Sequence, residues 1–251
     1  YETLESIYIP EGLSDASILF FSDLKYGPFM KEQRLQKLVQ AINNLSPDVV
    51  IFGGDLFADD YKPSEDDKNI VKTTLKEICA PLGKFAVLGD TDQETLDDMG
   101  TNKGLLYEAD FEVLDNKSIS IRNFGSDSIT LVGLQNSVNG YADITTAYEN
   151  ISRSSFTIAI CHTPDTAKDV PTDLTKYFLA GHSLGGQVYY GLGSLYTPLK
   201  ADYYFKGKHT VNDSVTLDIT SGTGTVIKDV RFLSNAEIVL YRLKRKSIMA
   251  D

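Results

Sequence analysis

The stretch ILFFSDLKYG, residues 18–27, opens the pattern that decides the fold. Four apolar residues that suit a buried strand run directly into Ser22 and Asp23. The same arrangement returns in VVIFGGD, residues 49–55, where the apolar run ends in two glycines and Asp55. Such a run, followed at once by a turn and a carboxylate, predicts a strand that ends at a ligand-binding edge of a sheet.

Helix-like segments separate the predicted strands. Residues 31–44 carry apolar side chains at helical spacing, and residues 64–79 begin with a polar run that favours a helix N-terminus. Further strands are predicted at residues 85–88, 156–161 and 177–180. This alternation of strands and helices favours a mixed sheet with helical crossovers.

The other segments are richer in strands than in helices. Residues 111–134 follow a strand–turn–strand pattern, with turns at 115–117 and 125–127. Near the end of the chain, strands are predicted at 203–205, 215–219 and 237–243. The whole pattern predicts an α/β fold with a two-sheet core covered by helices. No break in composition divides the chain, so we expect one domain over residues 1–251.

The charge and apolar content of the chain limit the partners that it is expected to bind. The chain has 24 basic and 35 acidic residues and a net charge of −11, which repels nucleic acid and anionic membranes. It would also repel a phosphate ester unless a local cation reverses the field. No apolar run approaches the ~18 residues that a membrane span needs. The chain begins at Tyr1 rather than Met, so we expect that an upstream segment was removed; an anchor there would hold the protein at a membrane, outside the cytoplasm.

The two cysteines are expected to be buried free thiols rather than a disulfide. Cys79 and Cys161 both stand in apolar stretches, LKEICA and TIAICH. A free cysteine behaves as a small apolar residue, and a chain of this length needs no disulfide to fold.

Chemically active side chains gather where strands are predicted to end. Five apolar runs are followed by Asp23, Asp55, the group Asp90-Thr91-Asp92, His162 and His182. Each of them alone is more often a turn, a cap or a hydrogen-bonded core residue. Five repeats that use two of the three histidines instead predict a metal site beyond the strand ends. Carboxylate and imidazole ligands suit manganese, iron or zinc.

The order of these segments resembles the calcineurin-like metallophosphoesterases. That family carries Asp-x-His, then Gly-Asp, then Gly-Asn-His followed by an acid, then a His, then Gly-His-x-His. The stretches here are SDLKYG, GGDLF, LGDTDQ, CHTPD and AGHSLGGQ. The likeness runs from Ile18 to Leu243 and is closest to small, often membrane-anchored bacterial members whose last motif ends in Gly-Gly-Gln. It implies a four-layer α-β-β-α sandwich of two mixed β-sheets flanked by helices, and hydrolysis of a phosphomonoester or phosphodiester.

The resemblance implies a second metal site with a complete set of ligands. In the family a bridging Asp is shared by two metal ions, and that residue matches Asp55. The second metal also takes His162 and His182, and Asp90 stands where the family has Asn. We therefore expect one divalent ion, manganese, iron or zinc, at this site.

The first metal site and the leaving-group acid are where the chain departs from the family. Asp23 matches a ligand of the first metal, but Lys25 and Leu184 replace its two histidines. A leucine cannot coordinate, and a lysine does so only when deprotonated, against its ordinary pKa of about 10.4. Thr91 replaces the histidine that assists the leaving group, and Asp92 matches the acid that orients that histidine. The resemblance thus gives Lys25, Thr91 and Asp92 as catalytic positions.

Lys25 admits two interpretations. Its ammonium either occupies the place of the first metal, paired with Asp23 and Asp55, or belongs to a solvated loop lysine. Losing one metal and the leaving-group histidine costs orders of magnitude in rate. Three functions stay open at this point: a slow one-metal phosphoesterase, a protein that binds phosphoryl ligands without cleaving them, or a scaffold with a vestigial site.

A competing motif overlaps the last of these stretches. GHSLG, residues 181–185, fits the G-x-S-x-G nucleophile elbow of serine esterases, with Ser183 as the nucleophile. An elbow must open into a helix, whereas Gly191 and Gly193 follow here. His209 is the only later histidine. The serine esterase is therefore the less favoured alternative.

Overall fold

The computed structural model describes residues 1–123, 125, 127–190, 193–194 and 196–247. Within these residues the core consists of two six-stranded β-sheets. The first sheet has the order β1 (Glu2–Ser6), β12 (Val239–Arg245), β2 (Ser17–Phe21), β3 (Val49–Phe52), β4 (Lys84–Ala86) and β5 (Glu112–Val113). The second has the order β10 (Gly207–Val211), β11 (Val215–Ile219), β9 (Tyr177–Ala180), β8 (Phe156–Cys161), β7 (Ile129–Leu134) and β6 (Lys117–Ile121).

Both sheets are mixed. Strands β2, β3, β4 and β5 run parallel to one another, and β12 pairs with β2 in the antiparallel sense. In the second sheet β7, β8, β9 and β11 are parallel, and the outer strands β6 and β10 are antiparallel. Because parallel strands end at the same edge, the loops that follow them meet there.

Successive side chains along a strand point to opposite faces of its sheet, so each sheet packs against a different layer on either side. Ile18 and Phe20 of β2 point to one face and pack with Ile158 of β8 in the core between the sheets. Leu19 and Phe21 point to the other face and pack under the helices α1 (Glu32–Asn44), α2 (Glu65–Lys76) and α3 (Leu96–Glu108). The outer face of the second sheet is covered by the short helix α4 (Ile144–Ala147) and the 3₁₀ turn Pro164–Lys168. The four-layer α-β-β-α sandwich is thereby confirmed.

The predicted helices begin and end close to their expected positions. The segment 31–44 forms α1 from Glu32, and the segment 64–79 forms α2 from Glu65. Ser64 caps α2 because its hydroxyl accepts the Asp67 N–H while the Asp67 carboxylate accepts the Ser64 N–H. Helix α3 has no sequence prediction, since its glycines interrupt any clear apolar stripe.

Two expectations are wrong. Residues 203–205 do not form a strand, because the backbone N–H groups of Tyr203 and Tyr204 donate to the carboxylate of Asp165 instead of to a neighbouring strand. The strand lies further along, at β10. Cys161 is a buried free thiol as expected, but Cys79 is exposed, since it follows the end of α2 and leaves the core.

In the described part of the chain, no helix combines the length and the apolar character that crossing a bilayer requires.

A buried hydrogen bond joins the two sheets. The Tyr241 hydroxyl on β12 donates to Asp218 Oδ2 on β11 at 2.8 Å. Burial raises the pKa of Asp218, although the bond from Tyr241 opposes that rise. An acid whose pKa is raised on folding binds its proton more tightly in the folded state. Folding therefore loses stability as the pH rises from the ordinary aspartate pKa through the raised one.

We expect Asp218→Asn to gain stability over the wild type as the pH rises from about 4 to about 7. The amide keeps an acceptor for Tyr241 and carries no charge that burial penalises. Urea unfolding of both proteins at the two pH values measures the difference. Tyr241→Phe is the comparison variant, and it should lose about 1–3 kcal/mol at neutral pH because Asp218 then lacks its donor. A stability difference that does not change with pH would contradict the account.

Candidate metal centre

Loops that follow parallel strands of both sheets meet at one site. Asp55, Asp90, His162 and His182 each contribute one ligand atom, and these atoms all lie within 4.8 Å of one another. Asp55 and the two histidines are buried, and Asp90 is partly buried. The convergence expected from the sequence is confirmed, since the four come from separate strand ends of the two sheets.

His162 is held in one tautomer by the loop after β3. Its Nδ1 lies 2.7 Å from the carbonyl oxygen of Gly53. A carbonyl oxygen can only accept, so Nδ1 carries a proton and Nε2 is the nitrogen that remains to bind a metal. That Nε2 lies 3.1 Å from Asp55 Oδ2 and 3.2 Å from Asp90 Oδ1.

His182 is held in the opposite tautomer, also by a backbone carbonyl oxygen. Its Nε2 lies 2.7 Å from the carbonyl oxygen of Leu199, so this nitrogen is the donor. Its Nδ1 then presents a lone pair, 3.1 Å from Asp90 Oδ1. Both rings thus point the nitrogen that is not anchored at the same carboxylate, as metal-binding histidines do.

The chemistry of the site fits a divalent cation. Asp90 Oδ1, His162 Nε2 and His182 Nδ1 are buried and have no hydrogen-bond partner among the described residues. Buried polar atoms without partners are costly, and three of them aimed at one point suit a metal ligand set. Burial lowers the pKa of His162, but Asp55 and Asp90 raise it by more, to well above its ordinary value. The site therefore attracts positive charge.

Lys25 lies inside this site. Its Nζ is 2.6 Å from Asp55 Oδ2 and 2.5 Å from Asp59 Oδ1, and its side chain is 1% exposed. The interpretation as a solvated loop lysine is wrong. Asp55 is a partner as predicted, but Asp59 takes the place expected for Asp23. Burial lowers the pKa of Lys25, yet Asp55 and Asp59 raise it by more, so the amine remains an ammonium.

Asp23 lies beside the four-residue group. Its Oδ2 accepts from the Ser22 hydroxyl and from the backbone N–H of His182, the latter at 3.1 Å. Its Oδ1 has no hydrogen-bond partner in the described structure and lies 3.9 Å from His162 Nε2. Burial raises the pKa of Asp23. The carboxyl group thus holds the His182 loop while leaving one oxygen directed toward the site.

Thr91 and Asp92 both hold the Asp55 loop. The Thr91 hydroxyl donates to Asp55 Oδ1 at 2.9 Å, and its backbone N–H donates to the same oxygen. Asp92 accepts the backbone N–H groups of Asp55 and Leu56 at 2.8 Å and of Gly89 at 2.9 Å. Burial and the nearby Asp55 raise the pKa of Asp92 to about 6.

The loops around the site carry backbone strain. Five residues with side chains have left-handed φ values: Asp23 (52°), Lys25 (50°), Asp55 (65°), His182 (73°) and Leu184 (51°). Each such residue costs about 1 kcal/mol or more and persists only where its contacts fix it. Packing is equally tight at Gly89, where a Cβ would lie 2.1 Å from Asp55 Oδ1. Strain gathered in this way is typical of functional sites.

The last motif links the His182 loop to a second loop through Gln187. Leu184 is fully buried and offers no ligand atom. The Gln187 amide donates to the carbonyl oxygens of Val226 and Lys228 at 2.9 and 2.8 Å, and its oxygen accepts the Val226 N–H. Gln187 therefore fastens the His182 loop to the loop at residues 226–228.

The geometry does not support a serine nucleophile. Ser183 is fully buried, and its Oγ accepts the backbone N–H of Gly185. The 3₁₀ turn Leu184–Gly186 follows instead of a helix. His209 lies on β10 and donates to the carbonyl oxygen of Lys206. Within the residues that the structure describes, Ser183 forms no hydrogen bond with a histidine.

Asp59 is the residue at this site that the sequence did not predict. It follows the Gly-Gly-Asp motif by four positions, in the acidic pair Asp59-Asp60. An acidic pair in a loop is ordinarily solvated, so its position gives no signal. Only the path of the loop, which turns Asp59 back toward Lys25, brings it to the site.

Known proteins with similar sequences are phosphoesterases. Residues 16–189 match the sequence model of the calcineurin-like phosphoesterases. An uncharacterized metallophosphoesterase, YkuE of Bacillus subtilis, is 27% identical over 246 residues, which cover 96% of this chain and 84% of that protein. Another from Aquifex aeolicus is 27% identical over 257 residues, covering 97% and 90%. The structure of GAP50, the anchor in the inner membrane complex of Plasmodium, shares the fold with a TM-score of 0.50 at 14% identity, covering 89% of this chain and 76% of that one.

The matched span contains the whole four-residue group. Asp55, Asp90, His162 and His182 all fall within residues 16–189. The match therefore covers the site and the strands β2 to β9, which include those that position it. The chain belongs to the calcineurin-like phosphoesterase family.

Proposed function

We propose that this chain, as one metallophosphoesterase-like domain over residues 1–251, binds one divalent metal ion and the phosphoryl group of a phosphomonoester or phosphodiester, with weak hydrolytic activity or none. The observation that carries the proposal is the Lys25 ammonium, buried and 2.6 Å from Asp55 Oδ2. In the family that carboxylate bridges two metals. Here Lys25 takes the charge-balancing place of the first metal, and the ligand is a phosphorylated small molecule or phosphodiester rather than nucleic acid.

Charge balance supports a single metal ion. Asp55, Asp59 and Asp90 carry three negative charges, which together balance one divalent cation and the Lys25 ammonium. Leu184 supplies no ligand for a second ion. An ammonium is a strong hydrogen-bond donor to phosphate oxygens, so Lys25 can hold a phosphoryl group as a point charge.

The residues of the site then have distinct roles. Asp55, Asp90, His162 and His182 would hold the metal, which when bound would polarise a phosphoryl oxygen. Manganese, iron or zinc suits these ligands. Lys25 neutralises charge on the bound phosphoryl group.

Three further residues set the limits of catalysis. The Thr91 hydroxyl is committed to Asp55 and gives the leaving group little help. General acid assistance is typically worth ~100- to 10,000-fold, so its loss favours binding over turnover. Asp92 acts through the Asp55 loop, and Asp23, expected as a metal ligand, acts chiefly by positioning the His182 loop.

The hydrogen bonds of Gln187 to the loop at residues 226–228 support assigning this chain to the Gly-Gly-Gln branch of the family. Its side chain both donates to and accepts from the backbone at residues 226–228, a structural role that a glutamine at the end of the motif can fill. The similarity to proteins from Bacillus subtilis and Aquifex aeolicus is in keeping with a bacterial branch.

We expect the purified protein to bind one divalent metal ion per chain, because the described residues contain a single group of this kind. His162→Ala or His182→Ala should abolish this binding, as measured by elemental analysis and by calorimetric titration with Mn²⁺. His209→Ala is the matched control, since this histidine binds the Lys206 carbonyl away from the site. Two metals per chain, or retention of the metal by His162→Ala, would contradict the assignment.

Lys25→Met should weaken the binding of inorganic phosphate to the Mn²⁺-loaded protein by about tenfold or more, because a charge-assisted hydrogen bond is lost. Isothermal titration measures the affinity. Lys84→Met is the matched control, since Lys84 is also buried but donates to backbone carbonyl oxygens near the end of α2. Unchanged phosphate affinity in Lys25→Met, with one metal per chain, would remove Lys25 from the site's chemistry.

The triple variant Lys25→His, Thr91→His and Leu184→His restores the three missing imidazoles. We expect it to bind two metals and to hydrolyse bis-p-nitrophenyl phosphate at least ~100-fold faster than the wild type in Mn²⁺, because a general acid and a second cation are regained. The release of p-nitrophenol reports the rate. If the variant binds two metals and gains no activity, these positions do not limit catalysis.

A further inference from the structure

Exposed apolar side chains concentrate on two loops next to the metal centre. The loop patch consists of Tyr190 (54% exposed), Ile227 (76%), Val230 (54%), Phe232 (56%) and Leu233 (62%). Single exposed apolar residues are common on any protein, but a group of five large ones is not. Such a group indicates a surface that something else covers.

Backbone hydrogen bonds place the members of the loop patch side by side. The Tyr189 N–H donates to the Phe232 carbonyl oxygen, and the Phe232 N–H donates to the Gln187 carbonyl oxygen, both at 2.9 Å. Lys206 Nζ binds the Leu233 carbonyl oxygen from the flank at 2.5 Å. The two loops therefore form one joined surface.

Arg231 shows which way this surface faces. Its guanidinium turns inward and donates to the carbonyl oxygens of Leu184, Gly222 and Gly224. Its neighbours Val230 and Phe232 are exposed, whereas the guanidinium is held by these backbone oxygens. Leu184 is two residues from His182, so the loop patch borders the metal centre.

The loops around the patch carry an excess of lysines, since Asp229 is paired with Arg34 and Glu237 accepts the Ser221 N–H, which leaves Asp202 as the remaining acid. Lys200, Lys206 and Lys228 stand in these two loops, and none of them has a carboxylate within 4.0 Å in the described structure. The chain's net charge of −11 would by itself repel an anionic surface. Charges more than about 8 Å apart are screened at physiological salt, so the local lysines decide what this surface meets.

We propose that the loop patch docks on the surface of a lipid bilayer that contains anionic lipids. Aromatic and aliphatic side chains enter the boundary between headgroups and acyl chains, while lysines contact the phosphate groups. A symmetric contact with a second copy would set these lysines against their own counterparts, whereas an anionic lipid surface complements their charge. Docking of this kind stands independently of whether the metal centre hydrolyses phosphate.

Sedimentation with vesicles tests the proposal. The wild type is expected to bind vesicles of phosphatidylglycerol and phosphatidylcholine, to bind vesicles of phosphatidylcholine alone more weakly, and to dissociate from the former as salt is raised. The double variant Phe232→Asp with Leu233→Asp should lose about tenfold or more in vesicle affinity, because two apolar anchors are removed. Leu96→Asp is the matched control, since Leu96 is 86% exposed at the start of α3.

Thermal unfolding and metal content, measured on each variant, show that the fold and the metal centre are intact. Wild-type vesicle affinity in the double variant, or an equal loss in Leu96→Asp, would overturn the proposal. Failure of the wild type to bind either kind of vesicle would also overturn the proposal. A dimer in solution that the double variant dissociates, with no binding to vesicles, would assign the loop patch to a second copy of the chain instead.

Discussion

The ionised carboxylate of Asp55 is the constraint on which the rest of the site depends. It is 1% exposed, and a buried charge is tolerated only when partners compensate it. Oδ1 takes two donors from Thr91, and Oδ2 lies against Lys25 and His162. Burial raises the pKa of Asp55, but His162 and Lys25 hold it well below its ordinary value. These partners together keep the buried carboxylate charged.

The same need explains the strained loops. Asp55 has a left-handed φ of 65°, and Asp92 holds that turn by accepting the N–H groups of Asp55 and Leu56. Thr91 stands where the family has its leaving-group histidine, so Asp92 has no imidazole to orient at that position. A residue that orients a catalytic group in the family thus acts here on the backbone that presents Asp55.

The sequence predicts those parts of the site that depend on local pattern. Apolar runs that end in Asp55 or His162 place these residues at strand ends, and parallel strand ends meet at one edge. Contacts that depend on loop paths lie beyond such reasoning. Lys25 pairs with Asp59 rather than Asp23 because of the turn that follows Leu56, and Tyr203 leaves its expected strand because the distant Asp165 accepts its N–H.

A tethered ammonium differs from a metal ion in a way that bears on function. It is always present, so it keeps Asp55 ionised without any exchange of cations with the solvent. Yet it carries one charge rather than two, and its three N–H groups donate hydrogen bonds instead of accepting lone pairs. An ammonium can stabilise a bound phosphoryl group but cannot activate a nucleophile as a metal does. Under the proposed function, Lys25 therefore supports the binding of a phosphoryl group and contributes nothing to the activation of a nucleophile.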